Sequence, residues 1–475
     1  MRLPEGSQAP RLFQFLNWVF RPLDTLDDRV RKYGETFRVL RDTLPPTIYV
    51  SSPDALQTLF TAEPECFDSG RQNRPLKVLL GDRSLILTDG DYHKRQRKLL
   101  MPPFHGDRLR SYGELICHLT LEVLQEKGWH RPFPLRSAMQ SISLRVILNA
   151  VFGLHEGDRY QEMERLLSAL VDAVGSPLRS LLLFYPSLQR DWGAWSPWGR
   201  FLRHKQQIDA LLYAEIGDRR DRPDPSRTDI LTLLLAARDE DGQPMTDEEL
   251  RDELLTLLFA GHETTASALA WALYWIHYLP EVQQHLLAEL DALPADATPA
   301  IVAKLPYLSA VCQETLRLYP IALNGFPRIL KQPMEVAGYS LPTGTAIIPS
   351  IYLAHRRQQV YPEPEQFRPE RFLERQFSPY EYLPFGGGNR LCIGQAFALF
   401  EMKLAIATLL SNFELGLVRP RPVKPVRRGL TIAPPASLQM VVKAPRQLAP
   451  TDPEVAKNSP LRLVRNGVES PNFPV

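Results

Sequence analysis

Long stretches of this chain repeat apolar residues at three- and four-residue spacing, the mark of helices packed on one another. They dominate from about Asp107 to Leu290. The strongest runs from Thr246 through Tyr278 and stops before Pro280. It opens on Asp247, Glu248 and Glu249, acids placed where a helix N-terminus favours negative charge. It is apolar on several faces, which predicts a helix through the middle of a large protein. Strands are predicted elsewhere. Phe37 to Ser52 reads as two strands joined through Pro45-Pro46, and Ser52-Pro53-Asp54 opens a helix with proline in its first turn. After Pro320 come four short strand-like pieces, FPRIL, MEVAG, YSLP and TAIIPS. A helix from Gly394 to Leu410 and a β-rich end follow. LFQFLNWVF, Leu12 to Phe20, reads as a first helix packed on the body. The expected fold is mainly α with a minor β part: one domain over residues 1–446 and a polar, proline-bearing C-terminal tail over 447–475.

Composition narrows the class. The 475 residues are 44% hydrophobic and 23% charged, an ordinary globular balance with room for a large core. The net charge of +2 gives no argument for nucleic acid. Four cysteines, Cys66, Cys117, Cys312 and Cys392, lie far apart with no CxxC pair, so neither a zinc site of the usual spacing nor a disulfide framework is expected. The run from Leu12 to Phe20 is too short to span a bilayer and lacks the layout of a secretory signal. The reading is a soluble, cytoplasmic protein with no transmembrane segment, peripheral membrane contact being the alternative role for that run.

Cys392 carries the candidate chemistry. It lies in FGGGNRLCIG, Phe385 to Gly394, behind Gly386, Gly387 and Gly388. A thiolate used as a metal ligand must be kept anionic, by backbone N–H groups and by a helix N-terminus. The glycines let the backbone approach a flat ligand. Arg390 can meet a carboxylate at that ligand's edge, and Phe385 can cover the sulfur. These parts suit a haem iron held by a cysteine thiolate, which favours O–O cleavage.

FGGGNRLCIG resembles the haem-binding loop of the cytochrome P-450 family, Phe-x-x-Gly-x-Arg-x-Cys-x-Gly, at all five fixed positions. Chance would supply this in roughly one chain in ten thousand. ETLR, Glu314 to Arg317, resembles the family's Glu-x-x-Arg helix, and FRPERF supplies Arg371. The resemblance implies that Glu314, Arg317 and Arg371 form a buried structural charge network. AGHETT, Ala260 to Thr265, lies within the long helix. Read without the family, Thr264 and Thr265 bond back to carbonyls of the preceding turn. Read with it, Ala260 and Gly261 open a groove for dioxygen, Thr264 hydrogen-bonds it and Glu263 helps deliver protons. His262 reads as packing or water contact. In YHKRQRKLL, His93 and Arg97 match the residues that reach haem propionates, as does Arg328 in NGFPRIL, with Arg390 as fourth partner. Lys94, Arg95 and Lys98 read as surface charge, some of it for docking an acidic electron-transfer partner.

The resemblance covers about residues 10 to 445 and implies the family fold: a triangular helical body with small β-sheets and haem b between the long helix and the Cys-loop helix. It implies a monooxygenase that splits dioxygen, with Cys392 as axial ligand and electrons from a separate ferredoxin and reductase, or a flavodoxin. A thiolate-haem peroxygenase or isomerase and a non-catalytic haem protein are the alternatives. The Leu- and Trp-rich segment Ser180 to Gly199 falls where the family places its lid. Leu323, Phe326 and Thr431 are expected at the pocket. The text resembles the fatty-acid-hydroxylase-like branch, so a lipophilic substrate, a long-chain fatty acid or terpenoid, is expected.

Overall fold

A computed structural model describes residues 3–39, 46–154, 157–175, 177–224, 226–294 and 296–446. The expected tail over 447–475 lies outside the described residues, as does most of the join between the first two strands.

The long apolar stretch is one helix, Asp247–Tyr278, of 32 residues. At 1.5 Å per residue it spans about 48 Å. Thr246 caps it rather than joining it: its hydroxyl accepts from the Glu249 backbone N–H while the Glu249 carboxylate accepts from the Thr246 N–H, a reciprocal capping box. The helix is buried on nearly all sides because other helices surround it. Leu135–Phe152, Pro197–Asp221, Pro306–Leu318 and Gln395–Asn412 all pack on it. Together they form the main hydrophobic core. The first helix is Arg11–Phe20, and the helix opened by Ser52 is Pro53–Thr61.

Among the described residues the strands form four small sheets. In chain order they are β1 Thr36–Val39, β2 Thr47–Val50, β3 Phe67–Asp68, β4 Phe133–Pro134, β5 Arg328–Leu330, β6 Met334–Val336, β7 Tyr339–Leu341, β8 Ala346–Pro349, β9 Phe413–Leu417, β10 Val426–Arg428, β11 Thr431–Ala433 and β12 Gln439–Pro445. Five form a sheet ordered β1-β2-β8-β5-β3, in which β2 and β8 run parallel with Ile48 opposite Ile347. Alternate residues of β2 enter two cores. Ile48 and Val50 pack with Leu330 and Ile347, whereas Tyr49 packs with Phe37 and Ile348 on the opposite face. β5 carries Arg328, and the β10–β11 hairpin pairs Arg428 with Thr431. The architecture is mainly helical with small sheets, as expected.

Candidate functional site

The cysteine loop is shaped by residues that only glycine suits. Gly386 and Gly388 have φ of +76° and +64°. A Cβ on Gly388 would also come within 2.8 Å of the Phe60 carbonyl oxygen. The Cys392 N–H donates to the Phe385 carbonyl at 3.1 Å, and Gly394 is the N-cap of the helix Gln395–Asn412, which ends two residues later than expected. The Cys392 side chain is accessible, yet protein surrounds it closely enough that burial pushes its thiol above the usual value. The Gly394 N–H and Arg97 act the other way and favour thiolate.

A basic group collects around this loop. Arg97 donates to the Leu391 carbonyl at 2.7 Å. Arg390 donates to the carbonyls of Leu85, at 3.0 Å, and Thr88, and to the Asp89 carboxylate. Arg328, fully buried, donates to the Leu59 carbonyl and, at 2.9 Å, to that of Gly387. Its burial pulls its pKa down to about 10, with the nearby Arg390 charge acting the same way. His93 is buried on the helix Gly90–Leu100. Burial first, then Arg390 and Arg97, lower it to about 3, so it is neutral at ordinary pH. The neighbouring Arg95 is more than surface charge. It holds Asp239 at 2.6 Å and Glu249 at 2.9 Å, tying this helix to the start of the central one. Lys98 pairs with Glu240.

In the central helix, Ala260 is exposed and Phe259, Gly261 and Thr264 are half-buried, although Asp252 to Leu258 and Thr265 to Tyr274 are buried. One stretch of an interior helix is thus open. The Thr264 hydroxyl donates back to the Ala260 carbonyl at 2.6 Å, the local bond that a threonine in a helix makes without a ligand. Glu263 points elsewhere. Its carboxylate takes Arg136 at 2.9 Å and Gln140 at 2.5 Å, both from the helix Leu135–Phe152, and lies 3.0 Å from Arg428 Nε on β10. His262 is buried, and that burial lowers it to about 4.

The charge network is assembled. Arg317 Nε donates to Glu314 Oε2 at 2.6 Å and Nη2 to Oε1 at 2.8 Å, while Arg371 Nε reaches Glu314 Oε1 at 3.1 Å, all buried. Arg317 also satisfies the carbonyls of His355, Pro364 and Gln366.

Two of the expected pocket residues lie near one another, since Ile432, beside Thr431, packs with Leu323 and its N–H donates to the Ile321 carbonyl. Phe326 is exposed, and Thr431 is half-buried with its hydroxyl donating to the Arg428 carbonyl at 2.9 Å. Leu323 packs in the sheet-side core with Leu26, Tyr49 and Ile348. Trp192 and Trp195 stack at 6.2 Å and remain exposed, Trp195 at 70%. Residue reading missed Arg136, Gln140 and Arg428 because their meeting with Glu263 comes from three separate elements.

A helical body with a thiol in a glycine-shaped loop, ringed by arginines, is the architecture of a haem-thiolate protein. The family model for cytochrome P450 matches residues 5–441. The chain is 36% identical over 468 residues to cytochrome P450 135B1 of Mycobacterium tuberculosis, covering 98% of this chain and 97% of that one. It is 33% identical over 450 residues to cytochrome P450 138 of the same species, covering 93% and 97%. Among solved structures, the retinoic acid bound cyanobacterial CYP120A1 superposes with a TM-score of 0.81 at 28% identity, over 94% of this chain and 100% of that one. The chain belongs to the cytochrome P450 family, whose members carry haem on a cysteine thiolate; it is a haem monooxygenase, an oxidoreductase. Its residues fit that group. Arg328 Nε and Arg390 Nε are buried without a hydrogen-bond partner, as donors waiting for an anion would be. No helix of the described residues is long and apolar enough to cross a membrane.

Proposed function

We propose that this protein inserts one atom of dioxygen into a long-chain fatty acid or a terpenoid, using haem b held by Cys392 and electrons from a separate ferredoxin and reductase or a flavodoxin. The observation that carries the reading is the placing of Cys392 in a glycine-shaped loop just before a helix N-terminus, with a donor from Gly394, Arg97 and Arg328 bonded to the same loop and Arg390 within it. Bound haem supplies the activation of dioxygen, which with two electrons and two protons gives oxygenated product and water.

The chain's own residues supply the setting. The Gly394 N–H, Arg97 and the helix N-terminus offset the cost of a buried thiolate. Arg328 and Arg390, with Arg97 and neutral His93, would hold the two carboxylates of the group at its edge. Phe385, whose carbonyl accepts from the Cys392 N–H, would cover the sulfur. Ala260 and Gly261 leave space, since neither carries a bulky side chain. Thr264 would turn its hydroxyl from the Ala260 carbonyl toward that space, and Glu263 would pass protons in.

Retinoic acid, bound by the superposable CYP120A1, is a terpenoid carboxylic acid, which supports an elongated lipophilic acid here. The exposed Trp192, Trp195 and Leu188 supply an apolar approach. One observation favours a second reading, a peroxygenase or isomerase: in this structure Thr264 and Glu263 are both engaged by other groups. The test is to titrate haem-loaded protein with retinoic acid and palmitic acid, following the low- to high-spin shift, and then to compare turnover. The proposal expects a shift with at least one acid and product only with ferredoxin and reductase. Product with hydrogen peroxide alone would install the second reading.

A further inference from the structure

The group around Glu263 reaches beyond the central helix. Arg136 and Gln140 hold the carboxylate from one side. On the other side Arg428 does two things at once. Its Nε lies 3.0 Å from Glu263 Oε1, a charge contact without hydrogen-bond alignment. Its Nη2 donates to Asp172 Oδ1 at 2.6 Å. Asp172 belongs to the helix Asp158–Gly175, which leads toward the Leu- and Trp-rich segment. Two arginines and two carboxylates thus form a neutral quartet across four elements, beside the buried, uncharged His262.

A second observation seats Arg428 under the end of that helix. A Cβ built on Gly175, its last residue, would lie 3.0 Å from the guanidinium carbon and from Nη2. A methyl group there would require the guanidinium to shift by a few tenths of an ångström. The backbone of Arg428 is equally committed: its carbonyl accepts from the Thr431 hydroxyl within the β10–β11 hairpin. One side chain therefore touches the acid of the central helix, the end of a peripheral helix and a hairpin expected at the pocket.

We propose that Arg428 is a positioning residue that couples the seating of the helix Asp158–Gly175 to the Glu263 carboxylate. With that helix seated, Asp172 fixes the guanidinium and Arg428 holds Glu263 in the quartet. When the helix lifts, the guanidinium is released and the carboxylate keeps only Arg136 and Gln140. Coupling of this kind is reciprocal: what loosens Glu263 must loosen the helix. Its consequence for turnover rests on the reading that Glu263 passes protons.

Amide hydrogen exchange in the last turn of Asp158–Gly175 tests the coupling on four haem-loaded proteins: the parent, Glu263→Gln, Arg428→Ala and the double variant. Each single substitution is expected to speed exchange there roughly fivefold. The double variant should exchange no faster than Arg428→Ala. Gly175→Ala, which removes no charge, should act like Arg428→Ala, and Arg428→Lys should recover most of the protection. Unchanged exchange in Glu263→Gln, or effects that simply add, would overturn the proposal. A separate readout is the solvent deuterium isotope effect on dioxygen consumption with ferredoxin and reductase. Exchange coupled as predicted, with an isotope effect indifferent to Glu263→Gln, would remove the proton-passing role of Glu263 and leave the coupling standing.

Discussion

Glu401 sits fully buried on the helix that follows Cys392, beside Ser143, with one carboxylate oxygen unpartnered. Burial pushes its carboxyl up to about 8. The folded protein therefore keeps this proton to about pH 8, whereas the unfolded chain releases it near the ordinary value of 4.5. Between those values the folded state binds more protons, so stability falls as pH rises, by on the order of a few kcal/mol at the top of the window. Glu401→Gln should flatten that fall, seen as melting temperatures that change less between pH 5 and pH 8 (about the titration window) than those of the parent. An equal fall in both would show that other groups carry it. Thr264 gives a second prediction. Thr264→Ala should lower product per electron pair by about tenfold and release peroxide instead, while Thr264→Ser keeps most of the yield. Product yield and peroxide assayed together decide it. At this scale the sequence was partly legible. Cys392, Arg390 and Glu314 stand in fixed local spacings, so a short string shows them. Glu263 could be found but not its partners, because Arg136 and Arg428 lie 127 residues before it and 165 after it, and only folding brings them together.

Elements followed from patterning more fully. The central helix was readable from its acids and apolar length, and the structure moves only Thr246, from first residue to cap. Thr246→Ala should cost about 1 kcal/mol, since the capping hydroxyl satisfies an N–H that would otherwise be free. Urea unfolding measures it, and no change in midpoint would mean that packing alone fixes this end. The network of Glu314, Arg317 and Arg371 joins elements far apart in sequence. Glu314→Ala would leave both arginines buried without their anion, a cost of about 3–5 kcal/mol. The expected result is little or no haem-loaded protein; normal yield would show that the network is dispensable. The short strands were legible in position but not in order, because pairing β2 with β8 across nearly 300 residues is a tertiary event.

Across the whole molecule, one helix organises both structure and chemistry. Other helices bury it from several directions, and it is open at Ala260, where the family places its reactive groove. Arg328 on β5 and Arg97 on the helix Gly90–Leu100 then reach the cysteine loop, which carries Arg390 itself, from positions far apart in the sequence. The central claim is that the Cys392 thiolate is the axial haem ligand. It is tested most directly by reducing the purified holoprotein, adding carbon monoxide and recording the Soret band beside Cys392→Ala. A strongly red-shifted band that disappears in the variant is the predicted result. A short-wavelength band in the intact protein, or a red-shifted band that survives the substitution, would contradict it.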